Sequence, residues 1–225
     1  MKHSNNVHLD GAVDHCLITG EKNGFVVARM EVFTLTAKSP DLSGYRPAEK
    51  FEKSFHRVRV AVKQDAAEPL RALDAETRSG GIKGLHTVSI DGSIAQVDGS
   101  PVIDVRGDGV RFTDKNLPNT DNNKVSLSGT VRETTYTDMS ASMVLDADKV
   151  PVRVRFLRST NPKGWEDVKE HRIGKGDEVS LEGPLISRKF SDGKKELFDC
   201  SVAAKTVQLL KLAKEEKRSK GGVSL

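Results

Sequence analysis

No run of 18 consecutive apolar residues occurs in this chain, so no helix is expected to span a membrane. The first 25 residues lack the apolar stretch of a secretory signal. Cysteine appears only twice in 225 residues, as Cys16 and Cys200. Two cysteines exclude a disulfide framework and point to a reducing, cytoplasmic compartment. They are read as small buried residues, because zinc needs more ligands than they supply. There is no glycine-rich phosphate loop, no H-E-x-x-H and no C-x-x-C. The six histidines show no ligand spacing, and Asp104, Asp108 and Asp199 are scattered over strand ends rather than gathered for a two-metal centre. The expectation is a protein that is not an enzyme and holds neither cofactor nor metal. Charge of one sign is not in large excess: the net charge is +4, a weak pointer to a polyanionic partner. Aromatic residues are only 5% of the chain, so the place of each one matters.

What the sequence does contain is a motif that occurs twice. Residues 83–92 read K-G-L-H-T-V-S-I-D-G and residues 175–183 read K-G-D-E-V-S-L-E-G. Around them, Val7-His8-Leu9-Asp10-Gly11 matches Val125-Ser126-Leu127-Ser128-Gly129, and Val58-Arg59-Val60 matches Val154-Arg155-Phe156. Val105 and Val110 match Val202 and Val207 at the same five-residue gap. The order is the same in both halves, so one small β domain appears twice.

Each half reads as five strands. In the first, strands are predicted over 7–14, 25–35 and 55–63, with Asn23-Gly24 as a hairpin turn. Residues 36–54 form a long loop, and residues 66–77 a short helix with Asp65 as its N-cap. Residues 85–95 and 101–112 form a hairpin around Asp98-Gly99. A polar linker covers 114–123. Strands follow near 124–133, 141–146, 150–158, 177–188 and 196–208. Segment 159–174 stands as a loop where the first half has its helix, and residues 209–225 begin as a short helical pattern before a basic, disordered tail. Five strands with a helix or loop between the third and fourth describe an OB barrel. The expected fold class is therefore all-β, two tandem five-stranded OB barrels with a short helix in the first: domain 1 over 1–113, linker 114–123, domain 2 over 124–210, tail 211–225.

These fragments resemble bacterial single-stranded DNA-binding proteins. Asn5-x-Val7-x-Leu9-x-Gly11, repeated as Asn123-x-Val125-x-Leu127-x-Gly129, looks like that family's opening N-x-V-x-L-x-G. Phe55-His56-Arg57-Val58 looks like its W-H-R-V, with Phe for Trp, and the two Lys-Gly strands look like its fourth strand. Ile186–Gly193 looks like that strand's exit into a hairpin. The resemblance covers most of residues 5–112 and 123–210. It implies binding of exposed single strands in replication, recombination or repair, largely without sequence preference, by particles of four OB units, which here means a homodimer. The family's acidic, apolar tail tip recruits partner proteins. The corresponding segment here, Lys217–Leu225, is basic, so recruitment through a tail is not expected.

The residues themselves make a parallel case. On 55–63, His56, Val58, Val60 and Val62 share one face and Phe55, Arg57, Arg59, Ala61 and Lys63 the other. An aromatic followed by cations on an outward strip suits a single strand, whose bases stack while its phosphates meet the cations. Arg153 and Arg155 repeat the strip, with Pro151 where Phe55 stands, so the two units contribute unequally. Further candidates are Tyr45, Arg46, Lys50 and Phe51 of the long loop, as a flap or as packing. Trp165 either stacks on a base or caps the barrel end. Arg188, Lys189, Phe190 and Lys194 lie around the last hairpin. Phe112 and Phe156 are assigned to packing. A protein-assembly subunit and an RNA-binding OB protein are the alternative readings, since 2′-hydroxyl contacts are not legible in sequence.

Overall fold

In the computed structural model, residues 3–37, 51–113, 122–191 and 196–213 are described. The first half begins with β1 (Asn5–Lys22) and β2 (Phe25–Ala37). They are joined at Asn23-Gly24, whose φ values of 54° and 76° are those a two-residue hairpin turn requires. Next come β3 (Phe51–Lys63), a 3-10 turn (Gln64–Ala66), α1 (Glu68–Arg78), β4 (Thr87–Val97), β5 (Ser100–Arg106) and β6 (Val110–Thr113). β1 does not stop near Asp14-His15 as the alternation predicts. It bulges between Val13 and His15 and runs on. The bulge bends the strand, so its first part pairs with β4 and its second part with β2. With β2–β3, the parallel β3–β5 and β5–β4 ladders, this closes a five-stranded barrel. Leu70 and Leu73 of α1 are buried against its core. The helix starts later than expected, after Ala67 with Pro69 in its first turn, and Asp65 lies in the 3-10 turn instead. Likewise, β2 and β3 take residues 36–37 and 51–54 from the predicted loop.

The second half comprises β7 (Lys124–Tyr136), β8 (Ser140–Ala147), β9 (Val150–Leu157), α2 (Pro162–Lys169), β10 (Glu178–Gly183), β11 (Leu185–Ser191), β12 (Glu196–Ala203) and β13 (Thr206–Lys211). Its registers copy the first. Val7, Leu9 and Gly11 face Gly92, Ile90 and Val88, and Val125, Leu127 and Gly129 face Gly183, Leu181 and Val179. The fold is therefore all-β, two tandem OB barrels.

Four expectations need correction. Segment 159–174 is not a loop: it holds α2, with Pro162 at its start and the Asn161 side chain accepting from Gly164 N at 2.9 Å, so both units carry a helix there. The predicted 177–188 strand divides at Pro184, whose missing N–H interrupts the ladder where Ser93 keeps β4 continuous. Residues 209–211, expected to begin a helix, continue strand β13 instead. Val202 is the counterpart of Ile103 rather than Val105. Leu185 faces Val202 as Ile94 faces Ile103, and the first unit has a longer turn before β6.

The two barrels are one sheet. β1 pairs antiparallel with β7 (Asn5↔Leu127 to His8↔Lys124), giving the continuous order β6-β4-β1-β7-β10-β13. A second junction joins β3 to β11. Ser54 Oγ donates to Ser187 O at 3.1 Å, and buried His56 lies between Thr34 Oγ1 (3.1 Å) and Ser187 Oγ (3.0 Å). Burial pushes the His56 pKa down to about 3, so the ring is neutral at neutral pH. One asparagine fastens each barrel, and the two match. Asn5 Nδ2 donates to Ile94 O (2.8 Å) and Asn5 Oδ1 accepts from Ile94 N (2.9 Å); Asn123 does the same with Leu185 (2.7 and 2.9 Å).

Candidate nucleic-acid interface

Strict alternation along β2 and β3 divides two faces. Val26, Ala28, Met30, Val32, Val58, Val60 and Val62 are buried in the barrel. The outward residues stand opposite one another in rows. Lys53 faces Leu35, Phe55 faces Phe33, Arg57 faces Glu31, Arg59 faces Arg29, and Lys63 faces Phe25. β1 extends two rows with His15 beside Glu31 and Leu17 beside Arg29, and β5 extends one with Asp104 beside Arg59.

Chemistry changes along this ribbon. At one end Phe33 and Phe55 form a tilted pair, centroids 6.1 Å apart, with Lys53 Nζ 4.2 Å from the Phe33 centroid. Phe33 is buried and Phe55 half-buried, so Phe55 is the ring that offers a face. The arginine rows follow, above a groove of about 300 Å³ lined by Leu17, Arg29, Arg57, Arg59, Val97 and Val102 among others. Two of these arginines are held closely, whereas the Arg29 side chain is 66% exposed with the exposed Asp98 3.9 Å away. Arg59 Nε donates to Asp104 Oδ1 at 2.8 Å, which raises the Arg59 pKa chiefly through that hydrogen bond. The Arg57 guanidinium lies 3.6 Å from the centroid of Phe198, a residue of the other unit. Asp104 and Phe198 thus orient the two arginines toward the groove.

In the second unit a groove of about 370 Å³ occupies the equivalent place, lined by Glu133, Thr135, Ser142, Arg153, Arg155 and Leu157 among others. One carboxylate, Asp199, holds both arginines: Arg153 Nη1 at 3.2 Å and Arg155 Nη2 at 2.8 Å. Where the first unit has Phe33 opposite Phe55, the second has Asp146 opposite Pro151. Asp146 is in turn held by Arg132 at 2.8 and 3.0 Å. This groove has the cations without the stacking ring.

The other candidates divide. Trp165 takes the packing role: it is 4% exposed, its Nε1 donates to Thr137 O at 2.9 Å, and Arg158 and Lys169 cover the ring at 4.6 and 4.7 Å. No base can stack there without displacing a cation. Arg188 is exposed beside Asp199 and Ile186. Lys189 and Phe190 lie on β11 and Phe51 opens β3, but their side chains are outside the described residues, as are Tyr45, Arg46, Lys50 and Lys194. Phe156 is fully buried and Phe112 packs against the core, as assigned. Sequence reasoning missed Arg29, Phe33 and Phe198. The first two were legible, since the alternation that separates Phe55 from His56 also separates Phe33 from Val32. Phe198 was not, because nothing local places it under Arg57. Among the described residues no group of His, Cys, Asp and Glu could hold a metal ion, and no helix is long and apolar enough to cross a membrane.

No protein-family model matches the chain, and no curated protein matches it. Among solved structures it is similar to the wild-type single-stranded DNA-binding protein from Thermus aquaticus: TM-score 0.62, 16% identity, covering 96% of this chain and 98% of that one. A deletion variant of the same protein gives TM-score 0.63 at 16% identity, covering 96% and 99%. At that identity the likeness establishes a shared fold across nearly the whole of both chains.

Proposed function

We propose that this protein binds single-stranded nucleic acid, DNA in the first place, largely without sequence preference, and coats exposed strands in replication, recombination or repair. The observation that carries the reading is the outward face of β2 and β3, where an aromatic platform with a lysine beside it leads directly into oriented arginines. Rings provide sequence-tolerant stacking and cations neutralise phosphates, the two parts such binding requires. The first unit supplies both parts and the second mainly cations. Likeness of fold to a protein described as single-stranded DNA-binding supports the same reading. Two OB units per chain further suggest a homodimer as the working particle, and the two free cysteines fit a reducing compartment.

The experiment is a fluorescence-anisotropy titration of labelled oligo-dT, oligo-rU and duplex at two salt concentrations. Trp165 is too well covered to serve as the reporter. Single strands are expected to bind far more tightly than duplex, with affinity falling as salt rises because counterions are released from neutralised phosphates. Phe55→Ala should weaken binding by about 1–3 kcal/mol. Equal affinity for duplex, or no response to any strand as an assembly subunit would give, overturns the proposal.

A further inference from the structure

We propose that Phe25, set between Lys22 and Lys63, is a second base-stacking station, so that one strand runs the length of the β2–β3 ribbon from Phe55 to the β1–β2 hairpin. This rests on the single-strand reading above and extends its site past the arginines to Phe25, a residue outside the motifs that carry the resemblance.

Register supplies the argument. Phe25 faces Lys63 across the β2–β3 ladder and Lys22 across the β1–β2 ladder, so an aromatic ring stands between two ammonium groups in one row. Phe25 is 37% exposed, and its neighbour Val26 is fully buried, which puts the ring on the outward face that carries Arg29 and Phe33. Single exposed apolar residues are common on protein surfaces and by themselves mean little. This one is in step with the rest of the face. Along β2 the outward residues Phe25, Arg29 and Phe33 are four apart, and along β3 their partners Lys63, Arg59 and Phe55 are four apart. Aromatic, cation and aromatic therefore recur at equal intervals, and the outer two lie roughly 26 Å apart at strand rise. The nearest carboxylate on β1, Glu21, is occupied by Arg71 Nη1 (2.6 Å) and Gln64 Nε2 (3.0 Å), contacts that lower its pKa, the Arg71 hydrogen bond first. The row keeps its positive charge for phosphates.

A strand reaching from Phe55 to Phe25 must be longer than one that ends on the arginines, so oligonucleotide length separates the two cases. The test titrates oligo-dT at the short and long ends of the range of about 4–16 nucleotides per OB unit into the parent chain, Phe25→Ala and Phe25→Tyr. In parallel, a 5-iodouracil-substituted oligo-dT is photo-crosslinked to the parent and the adducts are mapped by mass spectrometry. Phe25→Ala should lose about tenfold in affinity for the long oligonucleotide and nothing for the short one. Phe25→Tyr should restore the loss, and the parent should yield an adduct at Phe25. If the parent binds but Phe25→Ala matches it at every length, or no adduct forms at Phe25, this inference is wrong and the single-strand reading stands. If the parent binds no single strand, the reading itself fails and takes this inference with it. Should Phe25→Ala prove unfolded, the adduct on the parent decides alone.

Discussion

His56 has the outward look of a ligand-strip residue, since it sits between Phe55 and Arg57, yet it points inward and is 1% exposed. Its neutral ring links Thr34 of its own barrel to Ser187 of the other. That has a consequence for acid stability. The folded pKa is depressed to about 3, whereas the unfolded chain protonates near 6.5. Above 6.5 both states are neutral and nothing is lost. As pH falls below 6.5 the unfolded state gains a proton that the folded state refuses, so stability declines until pH reaches the folded pKa. At pH 5 the loss from this one group is about 2 kcal/mol. The window lies above the ordinary range of carboxylates, several of which, Asp74, Asp91 and Glu182 among them, are shifted lower still, first by their side-chain hydrogen bonds to Arg78, His8 and Ser126 respectively. Thermal melts of the parent should therefore fall between pH 7 and pH 5, and His56→Gln should flatten that slope; a parallel slope in the variant would place its origin elsewhere. The inward direction of His56 is legible from period two alone. Its partner Ser187 is not, because the two residues are 131 apart in sequence and meet only once two barrels are built.

Elements explain why the repeat is visible at all. The positions that recur most faithfully include glycines, and the reason is space. A Cβ on Gly92 would meet Asp104 O at 2.6 Å, and those on Gly129 and Gly183 would run into the backbone of Asp146 and Ala203. Each barrel closes where strands cross at such a point, so both copies retain the glycine while surface positions drift. Gly183→Ala should destabilise the protein by about 3 kcal/mol, read as a lower urea midpoint at unchanged slope. Gly20→Ala, where nothing lies within 4 Å, is the control and should be nearly neutral. Equal midpoints for the two would remove the packing explanation. The same logic separates what sequence disclosed from what it hid. Alternation located the strand cores, and Asn23-Gly24 and Asp98-Gly99 marked their turns. The bulge after Val13 stayed hidden, because a bulge is a tertiary response to pairing with two partners. So did α2, whose eight residues are short for a periodic signal although Asn161-Pro162 stands as a start signal in the chain.

At the scale of the molecule, the barrels are joined by the β1–β7 ladder, by the β3–β11 contact and by Arg57 on Phe198, so the two grooves are held in fixed relation rather than strung on a linker. Pairing β1 with β7 also uses up an edge that a single barrel would leave open. Within the six-stranded order the open edges among the described residues are its two ends: β6 pairs only with β4, and β13 only with β10. An unpaired edge is a template for another strand unless charge or a turn blocks it. β13 is poorly blocked, for Leu209 is 39% and Leu210 37% exposed, and Leu212 just beyond it is 63% exposed. If the working particle holds four barrels, this edge is where a second copy would add. Light scattering should then report about twice the 24.6 kDa chain mass, and Leu210→Lys, which places a charge on the edge, should shift the mass toward one chain while leaving the melting temperature of the barrels nearly unchanged. A parent that stays monomeric at micromolar concentration rejects the four-barrel particle. A Leu210→Lys variant that remains dimeric moves the contact to another surface, with the charged face of the six-stranded sheet, where His8, Asp91 and Arg111 pair and Lys124 meets Glu182, as the next to alter.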